Sequence, residues 1–165
     1  MSLFEILGGS DGVADLTHRF YDLMELEPQY AQLRAVHGQS LDFARERLYK
    51  FLHGWMGGEP LYQQEYGHPR LRQRHFPFAV TLQTRNQWIA CFAQAMQEVQ
   101  VAQSVRPKML LHLFAMADWM RNQPEEGVSP PISPVDLPPA MRVAELQQVL
   151  HTFGLHEDFT DFAEP

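Results

Sequence analysis

Gly67-His68-Pro69-Arg70-Leu71-Arg72-Gln73-Arg74-His75-Phe76-Pro77-Phe78 sets one histidine between three arginines and a cluster of aromatic rings. A neutral imidazole can bind a metal, apolar rings can cover a flat group, and guanidinium forks can hold carboxylates. The stretch contains Gly67, Pro69 and Pro77 and has no sustained hydrophobic period. Residues 61–83 are therefore expected to be loop broken by one or two short turns around His75. Pro77, with no N–H and a fixed φ, restrains the exit from that turn.

Outward from this block the pattern is helical. Upstream, Val13, Leu16, Phe20, Leu23 and Met24 recur at helical spacing, with Asp11 as a polar cap after a Gly8-Gly9 turn and Pro28 as a stop. Ala44, Leu48, Phe51, Leu52 and Trp55 form a second stripe that ends at Gly57-Gly58, read as a chain reversal. Downstream, Trp88, Phe92, Ala95, Met96 and Val99 predict a long helix from Arg85 to Gln103. Pro107 suits the first turn of another, which carries Leu110, Leu113, Phe114, Ala117 and Met120 and stops by Pro124. Six of the twelve prolines fall between 124 and 139, which reads as a linker, and Val143, Leu146, Val149 and Leu150 predict a last short helix over 140–153. No segment alternates with a strand period and no repeat is visible, so the class is all-α.

The 165 residues, 45% of them hydrophobic, suit one domain with a sizeable core. The formal charge of -7 is local: residues 1–124 hold twelve acidic and twelve basic side chains, and 125–165 hold eight against one. The clustered cations, Arg70, Arg72 and Arg74, are too few for a nucleic-acid face, so no nucleic-acid partner is expected. The apolar runs are too short to span a bilayer and the N-terminus lacks a signal-peptide pattern, so no membrane is expected and the compartment is cytoplasmic. Cys91 falls in an apolar helical pattern and reads as an inert core thiol. The eight histidines show neither a close pairing with that cysteine nor an H-x-x-x-H spacing, which sets zinc aside, and no glycine-rich phosphate loop is present.

The histidine block, the Phe20-Tyr21 pair, Trp55 before Gly57-Gly58 and Trp88 in a downstream helix occur in an order and spacing that resembles the second group of truncated haemoglobins, over about residues 4–121. The resemblance implies a truncated globin, a two-over-two helical sandwich in which antiparallel pairs cross around one haem b (iron protoporphyrin). The four helices would be 13–26, 42–56, 85–104 and 107–122. Residues 1–123 would be the haem-binding truncated globin domain and 124–165 a Pro-rich acidic C-terminal extension, either packed on the surface or disordered. The early Gly8-Gly9 leaves no room for a full extra helix in front.

By the same resemblance His75 is the iron ligand, sending one ring nitrogen to the metal while the other donates to a nearby backbone carbonyl. Arg47 and Arg74 are the candidates for the haem propionates, with Tyr62 at the edge; surface solvation is the alternative for either arginine. Arg72 is expected to face another way, and His68 is left unassigned. On the opposite face Tyr21, Trp88 and His37 would meet a bound ligand, the first two as polar handles on apolar bodies and His37 as a titratable donor. Ala44 matches the position where an ordinary globin has its distal histidine, and alanine cannot donate. Leu48 and Phe51 would wall the pocket above the ring, with Phe76, Phe78, Val80, Phe92 and Met96 as further lining, although each of these is also consistent with ordinary core packing.

The implied function is reversible binding of dioxygen, and of other small diatomic ligands, at histidine-ligated iron. Three polar groups above the ring exceed what simple storage requires, so haem-dependent redox detoxification, peroxidase-like or nitric oxide dioxygenase-like and served by a reductase, is the alternative. A helical interaction module without haem, in which the histidine and aromatics are structural, is the other. The chain itself would be a monomer or a homodimer.

Overall fold

Gly8 adopts a left-handed φ of 99°, which separates a single-turn helix α1 (Leu3–Ile6) from α2 (Gly9–Leu26) in the computed structural model, whose described residues are 1–162. Helix α2 thus starts earlier than expected, and Asp11 lies in its first turn, near the positive end of the dipole, instead of capping it. After a 3-10 turn at Pro28–Tyr30 come α3 (Ala31–Ala35) and α4 (Asp42–Trp55). Gly57, with φ 107°, reverses the chain there, and the Phe4 amide donates to the Met56 carbonyl at 2.8 Å, which fastens α1 over the turn.

Two short helices follow where loop with short turns was expected: α5 (Leu61–Tyr66) precedes the arginine-histidine block and α6 (Leu71–His75) lies within it. Helix α7 (Leu82–Glu98) opens on a reciprocal cap in which Thr81 and Thr84 each accept from the other's amide, so it begins before Arg85. It ends at Glu98, five residues short of Gln103, because Gln100 takes a left-handed φ of 62° and the Val101 amide turns back to the Met96 carbonyl. Helix α8 (Arg106–Trp119) has Pro107 in its first turn. A 3-10 turn at Pro139–Arg142 leads into α9 (Val143–Thr152).

The fold is all-α: α2 lies between α4 and α7, and α7 packs in turn on α8, giving the helical sandwich. Leu16, Phe20, Ile89, Phe92, Leu110 and Phe114 are completely buried where these helices meet. Each such side chain contributes about 1.5–3 kcal/mol of burial. The extension packs onto this body. Leu146, Val149, Leu150 and Phe159 belong to the same core cluster, α9 rests on α7 and α8, and the 3-10 turn rests on α8.

One buried carboxylate ties the extension down. Asp118 Oδ1 accepts from Arg85 Nη1 at 2.6 Å and Arg121 Nε at 2.8 Å, while Oδ2 accepts from Arg142 Nη1 at 3.1 Å and the Ile132 amide at 3.3 Å. All four charged side chains are buried. Burial alone would raise the Asp118 carboxyl, but the hydrogen bonds from Arg121 and Arg85 outweigh it and hold it below the usual carboxylate range. The guanidinium groups are completed by Glu145 and Asn86 for Arg85, the Ser129 carbonyl for Arg121, and the Ile132 and Leu137 carbonyls for Arg142.

Removing one member of a buried ion cluster costs about 3–5 kcal/mol, and an exposed pair about 0–1 kcal/mol. Asp118→Ala is therefore expected to move the urea midpoint several times further than Glu145→Gln, whose carboxylate is half exposed. Equal shifts would show that the cluster is not a stabilising element. A carboxyl held low in the folded state contributes stability that is full above its unfolded value and lost as pH falls through its folded value, so the difference should shrink in acid.

Candidate functional site

Helix α2 directs Phe20 and Tyr21 toward α7, which presents Trp88 and Phe92 one turn apart. Phe20 meets Tyr21, Trp88 and Phe92 at ring-centroid distances of 4.9, 5.7 and 5.1 Å. Tyr21 in turn meets His37, just beyond α3, edge-on at 6.0 Å. The three polar side chains expected on one face are thus joined by Phe20 into one aromatic chain. Neither the Tyr21 hydroxyl nor the Trp88 indole N–H makes a hydrogen bond among the described residues. Burial pushes the Tyr21 phenol up, with the Arg45 guanidinium opposing weakly from 5.7 Å above its ring, so the O–H stays a donor. Arg45 was not legible as a site neighbour; only the packing of α4 on α2 brings it there.

His37 is held by its Nδ1, 2.8 Å from the Leu33 carbonyl. A carbonyl only accepts, so Nδ1 carries the proton and a neutral His37 presents Nε2 as an acceptor, in place of the donor expected from the sequence. Burial is the main cause holding this imidazole below its ordinary range, outweighing the Leu33 carbonyl that favours its protonation, and the Arg34 guanidinium adds to the depression.

His75, the last residue of α6, is half-buried, and its Nδ1 lies 2.6 Å from the Leu71 carbonyl one turn back. Its proton sits there, and Nε2 is left with a lone pair and no partner among the described residues. The turn that follows is pinned from outside: Asn122 donates from Nδ2 to the His75 and Phe78 carbonyls at 3.0 and 2.8 Å and accepts from the Val80 amide at 3.0 Å. Phe76 and Phe78 project from this turn 58% and 47% exposed.

A second cluster forms beside α5. Tyr62, buried, meets Phe51 at 6.4 Å and Tyr66 at 5.0 Å, with the Arg74 guanidinium 5.4 Å from its own ring and that of Arg47 5.5 Å from the ring of Tyr66. Neither arginine has a carboxylate partner among the described residues. Arg74 uses Nε on the Pro69 carbonyl and Nη2 on the Tyr66 and His68 carbonyls, so its Nη1 is the nitrogen left over. Arg72 faces the end of α8, donating to the Trp119 and Arg121 carbonyls over the Trp119 ring. His68 accepts the Arg70 amide at its Nδ1 and closes a turn. Ala44, Leu48, Phe51 and Trp88 are partly buried against the main core, while Phe92 and Met96 are completely inside it. Val80 is fixed through its backbone by Asn122. Cys91 is buried, with Sγ on the Phe20 carbonyl, and burial pushes its thiol up.

A family described as bacterial-like globin matches residues 2–122. The group 2 truncated hemoglobin YjbI of Bacillus subtilis is 32% identical over 117 residues, 71% of this chain and 86% of that protein. Among solved structures, the group II 2-on-2 hemoglobin from Agrobacterium tumefaciens has a TM-score of 0.73 at 36% identity, covering 75% of this chain and 96% of the other. The cold-adapted truncated hemoglobin from Pseudoalteromonas haloplanktis TAC125 also reaches 0.73, at 33% identity over 75% of this chain and all of the other. No helix among the described residues is long and apolar enough to cross a membrane.

The depressed His37 gives a pH signature. Its neutral form contributes stability that is full above the unfolded value, about 6.5, and lost as pH falls through the folded value. Thermal melting between pH 7.5 and 5 should therefore fall less steeply in His37→Gln than in the parent. Superimposable pH profiles would refute the burial of a neutral ring.

Proposed function

Because the chain belongs to the bacterial-like globins, and within them to the group 2 truncated haemoglobins, we propose that it binds haem b through His75 and takes up dioxygen and other small diatomic ligands reversibly. The observation that carries this proposal is one imidazole already committed on Nδ1 to the Leu71 carbonyl, with Nε2 left without a partner among the described residues. A porphyrin supplies four nitrogens of its own, so a single protein nitrogen, Nε2 of His75, would be enough to hold its iron. The exposed Phe76 and Phe78 rings offer apolar surface for a flat macrocycle, and Arg47 and Arg74 retain N–H groups without a carboxylate. The residues present fit the group.

Haem, when bound, supplies iron with an open sixth position. The protein's share is to hold that position in apolar surroundings and to aim donors at it. Tyr21 and Trp88 each carry a polar hydrogen without a partner among the described residues, and a ligand that gains negative charge on binding is held longer by such donors. His37 is neutral at pH 7 and accepts, so it orients a neighbouring O–H until acid turns it into a third donor. The Leu71 carbonyl fixes the tautomer and the orientation of the His75 ring through the Nδ1 bond. Arg47 and Arg74 hold the propionates at the rim, and the globin unit proposed is residues 1–123, with 124–165 as an extension.

A second reading, redox detoxification of peroxide or nitric oxide with a reductase, is favoured by the acceptor nitrogen of His37 beside a phenolic donor, since proton transfer needs both. Turnover with peroxide, or with nitric oxide and a reductase, separates it from reversible binding.

His75→Gly is expected to remove the fifth ligand and leave a cavity that added imidazole fills, restoring the ferrous absorption spectrum. An unchanged five-coordinate ferrous spectrum without imidazole would rule out His75 as the ligand. Tyr21→Phe and Trp88→Phe each delete one polar hydrogen at nearly constant volume. A hydrogen bond to a charged acceptor is worth about 1.5–3 kcal/mol, so loss of the dominant donor should speed dioxygen release about tenfold or more. Stopped-flow rates within about twofold of the parent for both variants would discard the donor assignment. The double variant should depart from additivity, because both groups address one ligand.

A further inference from the structure

The five-residue helix that ends in His75 is too short to hold itself, since isolated helices of this length are unstable in water. Its rigidity comes from the residues that leave α8. The Trp119 and Arg121 carbonyls take Arg72, and Asn122 makes four hydrogen bonds to the next turn: amide to the Val80 carbonyl, Oδ1 from the Val80 amide, and Nδ2 to the His75 and Phe78 carbonyls. Three residues further on, Glu125 accepts the Leu82 amide at 2.9 Å, at the start of α7. The chain from 119 to 125 therefore runs as a clamp along 72–82.

That clamp is anchored at its root. Asp118 holds Arg121 on one side and Arg142 on the other, and Arg121 reaches on to the Ser129 carbonyl. Arg142 is buried at the turn that opens α9 and also ties the Ile132 and Leu137 carbonyls. The extension is thus linked to the clamp through Asp118 and Arg121, and the peptide that joins Arg121 to Asn122 carries the link on to the turn after His75.

We propose that Asn122 is a positioning residue for His75, and that the C-terminal extension sets the place of Asn122 through Arg142 on Asp118. The inference rests on the assignment of His75 as the iron ligand. The extension becomes a brace on the ligand side of the site, beyond the residues 2–122 that match the family. The carboxamide donates to the His75 carbonyl, so its loss frees the peptide that carries the imidazole. The orientation of the ring then becomes less sharply defined.

The test uses the full-length haem-loaded protein and reads the ferrous iron–histidine stretching band by resonance Raman, with haem loss to an apo-globin acceptor as a second measure. Asn122→Ala should shift and broaden the band and speed haem loss about tenfold, the lower end of what partners of a metal-bound histidine typically contribute. Asn122→Asp keeps size and the acceptor for the Val80 amide but sets a carboxylate against two carbonyls, so it should do at least as much. Ser10→Ala, which breaks the bond to His53 far from the clamp, should lower the melting point and leave the band alone. Arg142→Gln should move the band in the same direction by less. Should that variant not fold, Arg142→Lys keeps the charge on Asp118 and loses the carbonyl bonds, with the same expectation. A parent-like band in both Asn122 variants overturns the positioning role. A shifted band there with a parent-like band in the foldable Arg142 variant overturns the role of the extension. If His75→Gly keeps the parent spectrum, the ligand assignment itself has failed, which is a separate result.

Discussion

A single buried carboxylate decides how the last quarter of this chain meets the rest. Asp118 receives arginines from α7, from the residues leaving α8 and from the turn before α9, and every one of them is shielded from water. A buried charge is tolerated when its hydrogen bonds are complete, and an incomplete set is worse than none. The arrangement is therefore nearly all-or-none: with Arg142 absent, one carboxylate oxygen loses its charged partner while two cations remain beside it. Apolar contacts from Leu146, Leu150 and Phe159 add to this closure without specifying it, since a hydrophobic stripe can slide where a fork on a carboxylate cannot.

The two faces of the candidate site are held by different physics. Tyr21 and Trp88 ride on long helices whose packing around Phe20 and Phe92 fixes them, and their polar hydrogens remain uncommitted. His75 sits on a short helix between prolines and glycine, where regular structure supplies little, and its position is borrowed from Asn122, Arg72 and the backbone at the end of α8. The His75 side is therefore the side exposed to changes in the extension, and the Tyr21 and Trp88 side is insulated by the core.

Much of this was legible in the residues. The four principal helices follow the apolar period, and their ends moved for local reasons: the Thr81–Thr84 cap lengthened α7 at its start, and left-handed Gln100 shortened it at its end. Tyr21, His37 and Trp88 were named from the sequence and converge in space. The Asp118 cluster also leaves a trace in the sequence. Arg85 shares a stripe with Ile89, Phe92 and Met96, and Asp118 shares one with Leu111, Phe114 and Ala115, so opposite charges lay on the apolar faces of consecutive helices. Asn122 left no such trace, because an asparagine after a helix looks like any solvated turn residue.

By itself, then, the sequence determined the all-α class, the helices, the family and the histidine that stands out among eight. Period and cap act over three or four residues, and a motif is read in order along the chain. Tertiary structure alone decided that the Pro-rich segment packs against the body, that His37 faces its neighbours as an acceptor, and that Asn122 grips the turn after His75. The first and the last depend on pairs separated by 24 and 47 residues, and the His37 tautomer depends on burial beside Tyr21 together with the Leu33 carbonyl. Partner choice at such distances, and the tautomer that follows from it, is settled only when every buried donor has found an acceptor.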